Sequence, residues 1–195
     1  MKEYLIEAID REKKAVEILL LTPLETYEKA IAKIDDCKGK IVFTGVGKSA
    51  HIAGKLAATF ASLGISSFFV HSTESVHGDL GMIGKEDIVI LISNSGNTQE
   101  VVQMLTPLKV IGCTTVAMCS QENSILAQQC DEKIIYPKVQ EADEWNLAPT
   151  SSTTVVLVLG DAIACTIAKK RNFQRKDFHK FHPGGSLGKM LDKNL

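Results

Sequence analysis

The sequence predicts an α/β fold in which a five-stranded parallel sheet is sandwiched by helices. After Lys40, short β-rich runs alternate with helical stretches, which is the pattern of βαβ units with right-handed crossovers. Runs such as residues 88–92 (IVILI) are apolar at every position, as in strands whose sheet is covered by helices on both faces. A chain of 195 residues suits one domain of this kind, at roughly 150 residues per domain.

The first 39 residues predict two helices ahead of the sheet. Residues 4–21 repeat apolar side chains on one face. The next four residues, Thr22-Pro23-Leu24-Glu25, form a capping-box pattern with proline at the first helical position. They predict a second helix that ends near Cys37.

The core of the predicted domain spans residues 40–170. Gly64 is suited to the position just past a helix end, where the backbone commonly turns left-handed. The expected strands are 41–44, 65–70, 88–93, 115–118 and 133–136, and the helices between them are 49–63, 98–111 and 123–130.

A long helix and a tail follow the sheet. Residues 151–170 are apolar almost all round, and a helix without a polar face must be covered on every side, either by its own domain or by a partner subunit. Residues 171–195 form a tail that begins basic and carries His182-Pro183-Gly184-Gly185. We therefore expect a single domain over residues 1–195.

Composition and charge exclude several classes of protein. Lys plus Arg (22) nearly balance Asp plus Glu (23), so no basic field favours nucleic acid or an anionic membrane. The five cysteines are scattered and never form C-x-x-C, which is typical of reduced thiols in a cytosolic protein. Charged residues throughout positions 2–17 exclude a secretory signal peptide, and the longest apolar stretch, 155–160, is too short to span a bilayer. We expect a cytoplasmic protein with no nucleic-acid or membrane partner.

Two loops are placed where an open α/β sheet binds its ligands. Such sheets bind ligands beyond the carboxyl ends of the strands, at the point where the strand order reverses. Gly45-Val46-Gly47-Lys48-Ser49 follows the first strand, and Ser93-Asn94-Ser95-Gly96-Asn97-Thr98 follows the third. In a flavodoxin-like strand order the reversal lies between these two strands, so one crevice receives both loops.

The first loop does not fit the two nucleotide motifs that it resembles. A Walker A loop needs glycine at position 42, where this chain has Val42. Gly45-x-Gly47-x-x-Ala50 fits a loose dinucleotide fingerprint, but His71 stands where the acidic residue is expected. What remains is a glycine turn that brings backbone N–H groups and Lys48 close to a ligand, or a plain tight turn with a solvated lysine.

The second loop predicts a phosphate site. It crowds hydroxyl and amide side chains onto a turn that opens a helix, where unpaired N–H groups and the helix dipole favour an anion. One such residue could serve only as a helix cap, but a cap does not need five of them. The residues concerned are Ser93, Asn94, Ser95, Asn97 and Thr98.

Several other polar residues are candidates for acid–base chemistry. His77 lies in the loop after the second strand, and Glu100 stands in the first turn of the helix after the phosphate loop. Glu141 follows the fifth strand, and His182 lies in the glycine-rich tail. His77 and His182 lack metal-ligand spacing, so no metal is expected.

Taken together, these motifs resemble the sugar isomerase (SIS) phosphosugar-binding domain and, within it, the arabinose 5-phosphate isomerases. The resemblance runs in the family's order over nearly the whole chain. S-N-S-G marks the superfamily, whereas L-A-P-T-S-S-T-T and H-P-G-G are the specific elements. The matching segments are residues 45–49 (GVGKS), 77–82 (HGDLGM), 93–96 (SNSG), 147–154 (LAPTSSTT), 160–162 (GDA) and 182–185 (HPGG).

The resemblance implies a role for each candidate residue. The phosphate would be held by Ser49, Ser93, Ser95 and Thr98, with Gly47 and Asn94 in the same two loops and Lys48 beside the sugar. The residues that match catalytic positions are Glu100, Glu141, His77 and His182. In similar proteins a neighbouring subunit of a homotetramer completes the site and supplies the histidine equivalent to His182.

The chain departs from the family pattern in two places. Many members have an acidic residue where this chain has Asn97, which would alter substrate contacts. Many also continue into a pair of CBS regulatory domains, whereas this chain ends at Leu195. We therefore expect either a catalytic domain without that regulatory module or the catalytic part of a longer protein.

The resemblance implies an aldose–ketose isomerase that interconverts D-ribulose 5-phosphate and D-arabinose 5-phosphate through an enediol. Such a reaction needs a base, a group that polarises the carbonyl and a remote phosphate grip, and it needs no cofactor. The carbon base is expected to be Glu141 or His182, and the product would feed 3-deoxy-D-manno-octulosonate synthesis. The alternatives are an isomerase of a hexulose or heptulose phosphate, a non-catalytic phosphosugar sensor and a structural oligomerisation module.

Overall fold

The computed structural model describes residues 1–184 of the chain. Gly185 of the predicted H-P-G-G motif, and the rest of the expected tail to Leu195, lie outside the described residues. The strands are β1 (Ile41–Gly45), β2 (Ser67–His71), β3 (Ile88–Ile92), β4 (Thr114–Cys119) and β5 (Glu132–Ile135). The helices are α1 (Lys2–Leu19), α2 (Glu28–Asp35), α3 (Lys48–Ser62), α4 (Ser72–Ser75), α5 (Gln99–Val102), α6 (Leu105–Ile111), α7 (Ile125–Gln129), α8 (Ser151–Lys170) and α9 (Arg175–Phe181).

The five strands form one parallel sheet in the order β2-β1-β3-β4-β5. This confirms the predicted fold class and the flavodoxin-like strand order. The order reverses between β1 and β3, where Thr44 pairs with Leu91. The loops that follow these two strands therefore leave the same edge of the sheet side by side.

Both faces of the sheet are buried, as the apolar strand sequences predict. In β3, Ile88, Ile90 and Ile92 pack into a core with residues of α1, α2, α3 and α8. Val89 and Leu91 alternate with them and pack against α5, α6 and α7 on the opposite face. The period of two along the strand thus divides a continuous apolar run between two helical layers.

Helix α8 is partly covered by its own domain. It is long and apolar enough to cross a membrane by composition, but more than half of its most apolar window is buried inside the fold. Gly160 lets it approach α3 closely, because a Cβ there would lie 2.5 Å from Cδ2 of Leu56. Its other side leaves Val158, Ala162 and Cys165 exposed.

Two local predictions are wrong. Thr22 does not cap a following helix. Its hydroxyl donates to the carbonyl of Ile18, at the end of α1, and Pro23 leads into a 3₁₀ turn at Leu24–Tyr27. The predicted helix 98–111 is divided into α5 and α6, because Pro107 has no N–H to donate to a carbonyl one turn earlier and is tolerated only in the first turn of α6.

The described part of the tail packs at the edge of the sheet where the strands begin. Helix α3 starts beside the carboxyl end of β1 and ends at Gly64, which has a φ of +77°. The rings of Phe173 and Phe181 lie against Gly64. Helix α9, and His182 directly after it, are therefore at the end of α3 opposite to Lys48.

Candidate functional site

A small cavity lies at the carboxyl edge of the sheet, between the first turns of α3 and α8. Its volume is about 120 Å³. Both loops that the strand order brings together reach it, through Lys48, Ser49 and Asn94. A wider groove of about 620 Å³ lies around Lys33 and Lys85, but it is at the opposite edge from the two loops. The small cavity is lined by Val46, Lys48, Ser49, Ile52, Ile92, Asn94, Tyr136, Pro149, Ser152, Thr153 and Val156.

The turn after β3 is held together by its own hydroxyl groups. The hydroxyls of Ser93 and Thr98 are 2.7 Å apart, and the backbone N–H of Gly96 donates to Oγ of Ser93. Gly96 has a φ of +66°, and a Cβ there would lie 2.1 Å from Oγ of Ser124. Position 96 therefore requires glycine, and Ser93, which is buried, shapes the turn from inside.

Asn97 anchors the turn to the neighbouring helix. Its Oδ1 accepts the backbone N–H of Ile125, the first residue of α7, and its Nδ2 donates to the carbonyl of Ser95. The side chain is thus committed to the protein, and Asn97 is absent from the cavity lining. The expectation that Asn97 alters substrate contacts gains no support from these bonds.

Tyr136, the residue that follows β5, contributes to the site although it belongs to none of the predicted site motifs. Its ring is buried and lines the cavity, and its hydroxyl donates to Oδ1 of Asn94 over 3.2 Å. Burial raises the pKa of this phenol, so the hydroxyl stays protonated. Its position at the carboxyl end of a strand was the signal available in the sequence.

Glu141 caps the first turn of α8. Its Oε2 accepts the backbone N–H of Thr150 at 2.8 Å, the hydroxyl of Thr150 at 3.2 Å and the backbone N–H of Ser152 at 3.1 Å. A carboxylate at a helix N-terminus satisfies N–H groups that have no partner within the helix. Glu141 is buried and is absent from the cavity lining.

The loop that carries Glu141 is itself built by hydrogen bonds. The carboxylate of Asp143 accepts the backbone N–H groups of Leu147 and Ala148. Desolvation opposes ionisation of Asp143, but these N–H groups outweigh it and lower the pKa of the carboxyl. The guanidinium of Arg11, on α1, donates to the carbonyl of Asp143. The cap on α8 therefore depends on an N-terminal helix.

Glu100 and His77 are exposed on the rim at the carboxyl edge. Glu100 lies in α5, directly after the turn that ends at Thr98. His77 follows α4, which packs beside α5. These two predicted residues are thus on the same side of the sheet edge as the turn.

His182 is not brought to the cavity of its own chain. Helix α3 has 15 residues, so its two ends are about 22 Å apart at 1.5 Å per residue. Lys48 is at one end, and the tail packs against Gly64 just beyond the other. The ring of His182 stacks on Phe178 with 3.9 Å between centroids, and its Nδ1 is 2.9 Å from the carbonyl oxygen of Phe178. In residues 1–184 no group of three or more His, Cys, Asp or Glu side chains is arranged to hold a metal ion.

The chain is similar in sequence to curated proteins that are named arabinose 5-phosphate isomerase. It is 46% identical over 183 residues to the arabinose 5-phosphate isomerase KdsD of Pseudomonas aeruginosa and 43% identical over 189 residues to that of Francisella tularensis. These matches cover 94% and 95% of this chain and 56% of each relative. The chain thus spans little more than half the length of the curated relatives it matches.

A solved structure agrees with this similarity. Escherichia coli CFT073 c3406, solved in complex with arabinose 5-phosphate, is 49% identical, with a TM-score of 0.90 over 92% of this chain and 95% of the other. The SIS domain family matches residues 33–166, which is more than half of the sequence and includes β1 to β5 and most of α8. The chain therefore belongs to the SIS domain family.

Proposed function

We propose that this protein isomerises D-ribulose 5-phosphate and D-arabinose 5-phosphate. The observation that carries the proposal is the meeting of Lys48, Ser49 and Asn94 at one cavity, in a chain 49% identical to a protein solved with arabinose 5-phosphate. The curated relatives named arabinose 5-phosphate isomerase support the same reaction. The product would supply 3-deoxy-D-manno-octulosonate synthesis.

The phosphate is held between the two loops. Ser49, in the first turn of α3, and Ser95 and Thr98, in the turn after β3, offer hydroxyl donors to its oxygens. Gly47 has a φ of +59° and turns the chain so that the N-terminus of α3 faces the cavity. Binding the phosphate, which does not react, positions the carbons that do.

The reaction moves one proton between two carbons and one between two oxygens. A base removes a proton from C1 of the ketose, an enediol forms, and the proton returns to C2 to give the aldose. A positioned base contributes typically 10²–10⁴-fold. Lys48 lines the cavity and polarises the carbonyl oxygen as negative charge develops on it.

His182 of a neighbouring subunit is the carbon base in this proposal. Glu141 is the weaker candidate, because one of its carboxylate oxygens already accepts three hydrogen bonds from Thr150 and Ser152. His182 lies too far from Lys48 within one chain, so it acts in the site of another copy. Glu100 and His77, on the rim, relay protons between oxygens or assist opening of the sugar ring.

Apolar surface on the described chain supports a homotetramer with shared sites. Tyr4, Leu5 and Ile9 of α1 are more than half exposed, as are Trp145 and Leu147 of the loop beside it. The uncovered side of α8 is apolar as well. Single exposed apolar residues are ordinary, but grouped ones mark association surfaces. The five unpaired cysteines favour a reducing cytoplasm.

The direct test is turnover of D-ribulose 5-phosphate in the presence of EDTA, followed by NMR. Ribose, hexose and heptose phosphates are assayed in parallel, and Lys48→Ala serves as the inactive control. Conversion of the pentulose phosphate to D-arabinose 5-phosphate alone supports the proposal. If no sugar phosphate reacts but one of them raises the melting temperature, the protein is a sensor and the catalytic proposal is wrong.

A further inference from the structure

Two buried hydroxyl groups lie next to each other in the first turn of α8. Ser151 is 0% exposed and Ser152 is 3% exposed. Neither Oγ has a hydrogen-bond partner among residues 1–184. Their neighbour Thr153, in contrast, donates to the carbonyl of Thr150. A buried hydroxyl without a partner is uncommon and costly, so it calls for an explanation.

The two serines differ in what they face. Ser152 lines the 120 Å³ cavity together with Lys48, Asn94 and Tyr136, whereas Ser151 does not. The backbone of Ser152 is fixed independently of any ligand, because its N–H donates to the carboxylate of Glu141. The Ser152 hydroxyl is therefore held in place at the cavity wall with its hydrogen-bonding capacity unused.

The charge next to Ser152 indicates which part of a sugar phosphate binds there. The carboxylate of Glu141 accepts the backbone N–H of Ser152 at 3.1 Å and does not itself line the cavity, so a negative charge lies behind the first turn of α8 and opposes a second negative charge at this wall. A phosphate dianion is therefore disfavoured at this wall. A neutral sugar oxygen is not, and a serine hydroxyl can both donate to it and accept from it.

We infer that the hydroxyl of Ser152 binds an oxygen on the carbon chain of the substrate, at the end away from the phosphate. This inference rests on the proposed function and names a contact within that site. Ser152 is then a specificity-determining residue, because an uncharged hydroxyl on a fixed turn selects for the position of a sugar oxygen. Ser151 has the same type of side chain and the same burial, and it makes no such contact.

The test compares Ser152→Ala with its matched control Ser151→Ala. We expect Ser152→Ala to lower kcat/KM for D-ribulose 5-phosphate by about 10- to 50-fold, which is the loss of one buried hydrogen bond to a substrate oxygen. Ser151→Ala should stay within about twofold. Ser152→Cys keeps the shape but donates weakly, and should fall between Ser152→Ala and the wild type. Inorganic phosphate, used as a competitive inhibitor, should bind both alanine variants as it binds the wild type.

Several outcomes overturn the inference. If kcat/KM is the same in Ser152→Ala and Ser151→Ala, the Ser152 hydroxyl does not bind the substrate. If Ser152→Ala loses affinity for inorganic phosphate as much as it loses kcat/KM, the substitution has distorted the whole site and the inference is wrong. If the wild type does not turn over any sugar phosphate, the proposed function fails. In that case the affinities of the wild type and of Ser152→Ala for D-arabinose 5-phosphate, measured by calorimetric titration, test the contact without turnover. Absence of binding to the wild type rejects the contact too.

Discussion

Oε2 of Glu141 accepts the backbone N–H of Ser152 across 3.1 Å, and this bond joins the loop after β5 to the first turn of α8. The same oxygen accepts two donors from Thr150. A carboxylate that holds three donors keeps its geometry only while it stays bound to them. Through this bond Glu141 holds Ser152 at the cavity wall, and we propose that this positioning, and not removal of the carbon proton, is its role.

Glu141→Gln separates these two roles. The amide oxygen of glutamine still accepts the N–H groups of Thr150 and Ser152, but it cannot act as a base. We expect kcat to stay within about tenfold of the wild type, whereas loss of the carbon base would lower it by about 10²–10⁴-fold. A loss in the larger range, measured with an unchanged melting temperature, would return Glu141 to the role of base.

Glu141→Ala serves as the companion variant. It leaves the N–H groups of Thr150 and Ser152 buried without an acceptor, which costs about 1–3 kcal/mol of unfolding free energy. KM should rise with the loss of order in the first turn of α8. Denaturant unfolding and kinetics on the same preparations measure both effects.

The sequence predicts the fold well because the responsible patterns are local. The apolar runs of the strands and the glycine turns after them can be identified without knowing what they pack against. The break at Pro107 was also locally visible, since proline rarely continues a helix. Thr22 could not be resolved in this way, because its hydroxyl can serve the end of one helix or the start of the next, and only the folded chain shows that it donates to Ile18 at the end of α1.

The site is predicted less completely, because many of its contacts join residues that are far apart in the sequence. Lys48 and Asn94 stand in turns whose composition is unusual in itself. Tyr136 and Ser152 have ordinary neighbours, and their importance comes from distant residues that close the cavity around them. The partners of Glu141 follow it by 9 to 11 residues, across a loop whose path is fixed by Arg11 and Asp143. The periodic spacing of apolar residues in the sequence does not predict such contacts.

Tyr136→Phe tests whether the phenol positions Asn94. Removing the hydroxyl frees the side-chain amide of Asn94, and we expect kcat/KM to fall by about 5- to 30-fold, the equivalent of one buried hydrogen bond. Because burial raises the pKa of Tyr136, the phenol stays protonated at the pH of the assay and the two pH–rate profiles should be parallel.

Tyr27→Phe is the matched control for this variant. Tyr27 is also buried and does not line the cavity, and its hydroxyl donates to the carbonyl of Ile135 at 2.8 Å. Both variants should lose about 1 kcal/mol of unfolding free energy, but only Tyr136→Phe should lose activity. Equal kcat/KM in the two proteins would show that the hydroxyl of Tyr136 is only structural.

Two helical glycines should respond to alanine with opposite signs. At Gly160 the added Cβ meets two methyl carbons of the buried Leu56 at 2.5 and 2.6 Å, so overpacking of about 1–3 kcal/mol outweighs the gain in helix propensity. At Gly54 the nearest atom, Cγ of Phe69, is 4.0 Å away, so Gly54→Ala should stabilise by about 0.5–1 kcal/mol. Thermal unfolding of both variants measures the difference, and a stabilising Gly160→Ala would contradict the close packing of α3 and α8.

Asp35 should make stability depend on pH. It pairs with Lys170 at 2.7 Å and with Arg171 at 2.8 Å, and the hydrogen bond from Lys170, followed by that from Arg171, lowers its pKa below the ordinary value of 3.8. The stabilisation is therefore complete above pH 3.8 and disappears as the pH falls through the lowered pKa. Asp35→Asn should lose about 0.5–1 kcal/mol at pH 7, and its unfolding curve should converge with that of the wild type in acid. Asp36→Asn, next to it, should differ little from the wild type at either pH.

Mixing of inactive subunits tests whether His182 serves another copy. Lys48→Ala and His182→Ala should each be inactive, but refolded together they should recover about a quarter of wild-type activity, because half of randomly formed two-fold interfaces are mixed and each keeps one intact site. Lys48→Ala mixed with Glu100→Ala is the control: both residues lie at the carboxyl edge of one chain, so this mixture should recover nothing beyond the sum of its parts. If the first mixture stays as inactive as the second, His182 does not complete a neighbour's site, and the base must be sought among the residues at the carboxyl edge itself.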